Sequence, residues 1–324
     1  MEELWTQILL LTASTFRLAT PLVLCAMAGL FAERSGVVDI GLEGKMLGAA
    51  FAAAAAAALT GSAWMGLITA IGVSFALAML HGFACITHRG DQVVSGVALN
   101  ITVAGLGPVL ADAWFQQAGR VPVSGEGMRF RPIDLPFAEA LRDVPYFGPL
   151  YADVISGHNL LVYVAVFSVP VVAWVVFKTR FGLRLRAVGE NPSAVDTAGI
   201  SVTAMRFRAL MVTGVLCGIA GAYLSIAQGA GFTRDMSAGK GYLALAALIF
   251  GKWRPVPALL ACLLFAFADA VQARLQGVEL PLIGEVPTQA IQALPYLLTI
   301  LLLAGFVGRA VAPKAIGQPY VKER

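Results

Sequence analysis

The sequence predicts an all-α, polytopic membrane protein of about 8–10 spans, with nine as the direct count of its apolar runs. Composition is the first observation behind this. Of 324 residues, 58% are hydrophobic and 13% charged, against about 25% charged in soluble domains, and the mean hydropathy is +0.78. The second is run length, since most runs approach the ~20 residues that a spanning helix needs. The third is charge placement: Lys and Arg collect in loops on one side of the predicted spans. These features exclude most soluble enzymes, and they exclude disorder, because so few charges cannot keep this much apolar surface solvated. A net charge of +4 fits basic loops, and no nucleic-acid partner is expected.

In chain order the runs fall at 6–31, 43–60, 64–86, 93–115, 159–177, 208–228, 240–251, 255–273 and 289–307. The seventh is short enough to be a half-helix. All belong to a single transmembrane domain, 1–324, expected in the inner or plasma membrane. The amino end carries Glu2 and Glu3 and no positive leader, so it does not read as a secretory signal. Cys25, Cys85, Cys217 and Cys262 lie inside apolar runs without Cys-x-x-Cys spacing and read as small core residues.

Orientation follows from the basic residues. Placing the carboxyl end in the cytoplasm puts 15 of the 23 Lys and Arg inside, among them Arg34, Lys45, Arg184, Arg186, Arg206 and Arg208. The amino end is then outside. Two hydrophilic segments interrupt the spans. The outer one, 116–158, holds Pro122, Pro132, Pro136, Pro145 and Pro149 and reads as an ordered extracytoplasmic cap with little regular helix. The inner one, 178–208, carries a helix-start signal: Asn191 as N-cap and Pro192 in the first helical position, with the helix running until Gly199. A short amphipathic helix at the cytoplasmic face is expected, shaped as a docking element.

No phosphate loop, His-Glu-x-x-His or Gly-x-Ser-x-Gly motif occurs, and His81, His88 and His158 are scattered. No catalytic residue, metal site or cofactor is therefore expected. What remains is a few polar groups at membrane depth, where an Asp at a helix centre costs about 2.5–3.5 kcal/mol and usually faces the bundle interior or a water-filled path. Asn100 lies in the first third of its span from the cytoplasmic side, Asp269 and Gln272 share one helical face, and Gln228, Gln289 and Gln292 fall near outer ends. Asn100, Gln228, Asp269 and Gln272 are the candidate translocation path. For each, interhelical hydrogen bonding or interfacial solvation is the competing reading.

Residues 35–48, SGVVDIGLEGKMLG, place Asp39, Glu43 and Lys45 among glycines, and 229–241, GAGFTRDMSAGKG, repeat that style on the opposite side. Irregular backbone at membrane depth survives only when buried in protein or lining a cavity, so both read as helix breaks, in the arrangement of an inverted repeat. Gly44 with Gly48 and Gly214 with Gly218 have the spacing of close helix contacts.

Three stretches together carry a family resemblance: ERSGVVDIGLEGKMLGA at 33–49, FGLRLRAVGENPSAVDTAGI at 181–200 and GKGYLALAALIFGKWRPVPALLACLLFAFADA at 239–270. The chain resembles permease subunits of ATP-binding cassette (ABC) importers of the ribose and branched-chain amino-acid superfamily, in the nucleoside and simple-sugar branch that works with lipoproteins of the basic-membrane-protein type. The resemblance implies a second, similar permease, a cytoplasmic ATPase and an extracytoplasmic binding lipoprotein as partners. It also implies that ATPase coupling falls on Gly189, Glu190, Asn191, Pro192, Ala194, Ala198, Gly199 and Ile200. Enforcing topology or binding lipid head groups stays open for Arg184, Arg186, Arg206 and Arg208. An ion-coupled secondary transporter acting without an ATPase is the alternative function.

Overall fold

The computed structural model describes residues 2–136, 147–275 and 310–322, with isolated positions at 138, 144, 279, 280, 284, 285, 293 and 297. Helices α1 (Glu2–Arg34), α2 (Leu42–Thr60), α3 (Ala63–Gly82) and α4 (Gln92–Phe115) come first. They are followed by α5 (Leu160–Lys178), α6 (Arg180–Glu190), α7 (Pro192–Thr197), α8 (Val202–Tyr223), α9 (Lys240–Phe250) and α10 (Pro255–Leu275). Among the described residues, seven helices are long and apolar enough to cross a membrane, with α9 as a shorter apolar eighth. The ninth predicted run, 289–307, and with it Gln289 and Gln292, lies outside the described residues.

Helix α2 is the axis of the bundle. Every residue from Leu42 to Ala55 is buried, and α1, α3, α4, α8 and α9 all pack on it. The alanine run Ala52–Ala58 explains why. Lipid tails are as apolar as a leucine side chain, so helices associate in a bilayer through close packing, and small residues allow the closest approach. Helix α8 uses the same device. A Cβ at Gly214 would lie 2.7 Å from the Phe75 Cα, one at Gly218 2.6 Å from the Ile71 Cα, and one at Gly221 2.3 Å from the Met46 carbonyl. The predicted Gly214/Gly218 spacing is thus a contact with α3. Gly44 does the same for α4, with Leu99 and Asn100 2.8 Å from where its Cβ would be. All four cysteines are buried.

Two ends of the bundle can be told apart by composition. At the basic end lie Arg34, α6, α7, the start of α8, the end of α9 and the segment 310–322. The far end carries the 116–136 segment, which has two short strand pairs in place of helix. Val121–Pro122 (β1) pairs with Gly231–Phe232 (β4), and Pro132–Ile133 (β2) with His158–Asn159 (β3), both antiparallel. Phe232 is buried and meets Phe51 edge-on at 5.4 Å between centroids, which locks the cap onto α2.

At the basic end the structure adds to the expected short helix and corrects two charges. Helix α7 starts as predicted, with the Asn191 side chain accepting from the Ala194 N–H at 3.1 Å and Pro192 in the first turn. A further helix, α6, precedes it, capped by Thr179 accepting from the Gly182 N–H at 3.1 Å. Lys45 and Arg206 were counted among loop charges. Both are buried: Lys45 forms an ion pair with Asp39, while Arg206 donates to the Ser35 carbonyl at 3.2 Å and the Gln318 carbonyl at 3.0 Å. The cost of stranding a charge away from water accounts for those partners.

Candidate functional site

The two glycine-rich breaks, reached from opposite ends of the bundle, meet at one carboxylate. Residues 35–41 lead from the end of α1 into α2 at the basic end, while residues 229–239 lead from the far end down to the start of α9. Glu43 in the first turn of α2 accepts from the Gly239 N–H at 2.9 Å and the Gly241 N–H at 2.6 Å. The first amides of a helix have no partner within it and carry its positive partial charge, so an acidic side chain there is both a cap and a counter-charge. Gly241 is required by the approach, since a Cβ on it would lie 2.6 Å from the Glu43 backbone.

Asn100 on α4 completes this junction. Its Oδ1 accepts from the Gly44 N–H at 2.7 Å, and its Nδ2 donates to the Ile40 carbonyl at 2.9 Å and to the Tyr242 hydroxyl at 2.8 Å. The eight-residue rise from Gln92 to Asn100 is about 12 Å, and the length of α9 is about 16 Å. The junction therefore lies inside the bundle, about a third of the way along α4 from the basic end.

Of the other candidate path residues, Asp269 is half-buried on α10. Gln272 lies one turn further along α10, half-buried. Gln228 is elsewhere. It lines a far-end cavity of about 420 Å³ with Arg17, Tyr223, Asn159 and Arg274. The structure thus places Asn100 at the junction and Gln228 at the far-end cavity, which Ala270, Ala273 and Arg274 of α10 also line.

Beneath the junction the 35–41 loop is held by a fully buried ion pair. Lys45 Nζ donates to Asp39 Oδ1 at 2.6 Å and also to Oδ2. Burial by itself would push the Asp39 carboxyl up, but Lys45 and His81 outweigh it and hold the group below the usual carboxylate range. His81, one of the three scattered histidines, is buried on α3, bonded to Ser95 Oγ at 3.0 Å and the Val38 carbonyl at 3.1 Å. It is a strut for this loop.

The predicted coupling segment divides by exposure. Glu190, Asn191, Ala194, Ala198 and Gly199 are exposed, and Pro192 and Ile200 half-buried. Gly189 is buried: a Cβ there would lie 2.2 Å from the Arg34 carbonyl, and its own carbonyl accepts from the Ala315 N–H at 2.9 Å. Its place is the joint between the segment and the end of α1. Gly199 has φ +79°, a left-handed conformation that glycine adopts without strain. Grooves of about 400 Å³ flank α7, one lined by Arg89, Asp196 and Lys322, the other by Arg184, Ala204 and Arg208. Arg184 and Arg208 thus face open space, whereas the Arg186 guanidinium stacks over the Phe177 ring at 5.0 Å.

Sequence reasoning named Glu43 within a break but not its partners, and it passed over Tyr242 as a site residue. The shared glycine-broken style of the two segments was the available signal for Glu43.

A multi-helix bundle with two helix starts meeting inside it, and a short exposed helix at its basic end, is the architecture of a membrane transporter subunit. The chain matches the family described as the branched-chain amino acid transport system / permease component over residues 11–304, and it belongs to that family. It is 38% identical to guanosine ABC transporter permease protein NupQ of Bacillus subtilis (strain 168), over 97% of each chain. It is 37% identical to nucleoside ABC transporter permease protein NupC of Lactococcus lactis subsp. cremoris (strain MG1363), over 97% of this chain and 98% of the relative. The same two organisms hold more distant relatives. Guanosine ABC transporter permease protein NupP is 25% identical over 93% of this chain and 83% of its own length, and nucleoside ABC transporter permease protein NupB is 23% identical over 78% and 69%. The chain is accordingly a multi-pass permease subunit of an ABC transporter and not itself an enzyme.

Proposed function

We propose that this permease is one half of an importer that brings nucleosides into the cell. The observation that carries the substrate class is the near full-length likeness to two permeases named for guanosine and nucleosides. Simple sugars are the second solute class of this branch. A near and a distant relative within one organism support a second, non-identical permease as partner.

The basic end faces the cytoplasm under the positive-inside rule, which puts the amino terminus and the 116–158 segment outside, where a binding lipoprotein delivers solute. The exposed residues from Glu190 to Ile200 then receive an ATPase. A physical route leads inward from there. Gly189 rests on the Arg34 carbonyl, the Gly317 N–H donates to the Gly36 carbonyl at 3.1 Å, and the 35–41 loop carries Asp39 to the junction. ATP-driven closure of the partner moves α6 and α7 together and switches access between the two ends. Such a switch needs an energy difference between two states, which ATP supplies and a neutral solute does not.

The test is reconstitution of the complete importer in proteoliposomes with labelled guanosine. Uptake is expected only with both permeases, the ATPase, the lipoprotein and ATP. Accumulation driven by this chain alone under an ion gradient would show a secondary transporter instead.

A further inference from the structure

We propose that Arg34 is the positioning residue that carries movement of the coupling segment into α9, and that it does so by gripping the strained turn, 251–254, that joins α9 to α10. The inference rests on the import reading above.

Arg34, the last residue of α1, faces two ways. Its backbone carbonyl is the surface on which Gly189 of α6 rests, so closely that no Cβ fits between them. Its guanidinium reaches the turn, where Nε donates to the Trp253 carbonyl at 3.1 Å and Nη2 to the same oxygen at 2.7 Å. Glu33 closes the grip, its carboxylate accepting from the Trp253 indole N–H. Glu33 and Trp253 are each 5% exposed, and a buried polar group that loses its partner pays the full cost of having left water. The Phe177 ring adds a second tie, with the Arg34 guanidinium 5.9 Å and the Arg186 guanidinium of α6 5.0 Å from its centroid. A displacement of α6 thus acts on the residue that holds the turn.

The turn is held away from its resting shape. Lys252 and Trp253 both have φ +53°, a left-handed conformation that is costly for residues bearing side chains. Their amides donate to the Ile249 and Leu248 carbonyls at 2.9 and 3.1 Å, and Gly251 lies so near α10 that a Cβ on it would be 2.6 Å from the Ala258 Cα. Strain of this kind persists only where the surroundings over-determine it, and Glu33 and Arg34 are those surroundings. Helix α9 is then fixed at both ends, by Glu43 on its leading amides and by Arg34 at its trailing turn. Only the trailing end adjoins the segment that receives the ATPase. Loosening the grip lets the turn relax and α9 swing on its Glu43 end, which gives the two access states the contact difference that a switch requires.

The test uses the complete importer in proteoliposomes, reading guanosine taken up per ATP hydrolysed. Arg34→Gln removes the charged fork and should lower that ratio about tenfold or more while ATP hydrolysis stays within about threefold of the wild type. Arg34→Lys, which keeps a donor, should recover part of it. Uptake and hydrolysis falling together, with the ratio unchanged, would mean a purely structural Arg34 and overturns the proposal. Lys252→Gly is the second variant, because the Lys252 side chain is exposed and has no bond among the described residues, and glycine takes the left-handed backbone without strain. Relieving the strain favours the gripped state, so uptake should slow about threefold or more with no fall in melting temperature. Unchanged uptake in Lys252→Gly overturns the proposal even where Arg34→Gln fails to assemble. A wild-type importer that moves no nucleoside overturns the import reading instead.

Discussion

The coupling segment and the junction are both interruptions of helix, yet they are held in opposite ways. Helix α7 is organised by its own neighbours in sequence, with Asn191 capping Ala194 three residues on and Gly199 closing the turn. The junction is organised by residues 56 to 198 positions apart: Asn100 with Gly44, and Glu43 with Gly241. A locally closed element can shift as a unit without losing its internal bonds. A junction tied by charge across three helices resists any movement that separates them. The first is suited to receive motion and the second to define a fixed point about which it acts.

That contrast can be broken or sharpened by substitution. The largest effect is expected for Asp39→Asn, which strands Lys45 in a dry site. Removing one member of a buried pair costs about 3–5 kcal/mol, to be read as a large fall in melting temperature in detergent. Asp39→Leu with Lys45→Met together should cost less than either alone, and a double-mutant cycle without that coupling would refute the pair's role. Glu43→Gln keeps shape but removes the charge facing two amides, for a loss of about 1.5–3 kcal/mol. Gly199→Leu forces a side chain into a left-handed backbone and costs about 1–2 kcal/mol; it should also uncouple uptake from ATP hydrolysis. Asn191→Ala removes a cap worth about 1 kcal/mol. Glu190→Trp, fully on the surface, should change stability by no more than about 0.5 kcal/mol and still uncouple transport from ATP hydrolysis in the reconstituted importer. If Glu190→Trp destabilised the fold as much as Asp39→Asn, the division between the two regions would fail.

The same division explains what could be read before any coordinates. The Asn191-Pro192 start is encoded in adjacent residues, so it was legible. Seven long spans were legible for the same reason, because length and apolarity are properties of a continuous run. The spacing of Gly214 and Gly218 signalled a close helix contact, but not that α3 is the partner. Glu43 bonding to Gly241 depends on how α2 and α9 are brought together, and nothing within either segment states that. Arg206 shows the converse: a basic residue in a basic loop has the composition of a surface group, and only tertiary contacts with Ser35 and Gln318 reveal that it is enclosed.

Helix α9 is about 16 Å long, roughly half the thickness of a hydrocarbon layer, and its leading amides end on Glu43. So short a rod cannot reach water at both of its ends, and the carboxylate stands in for the solvent that its leading end would otherwise need.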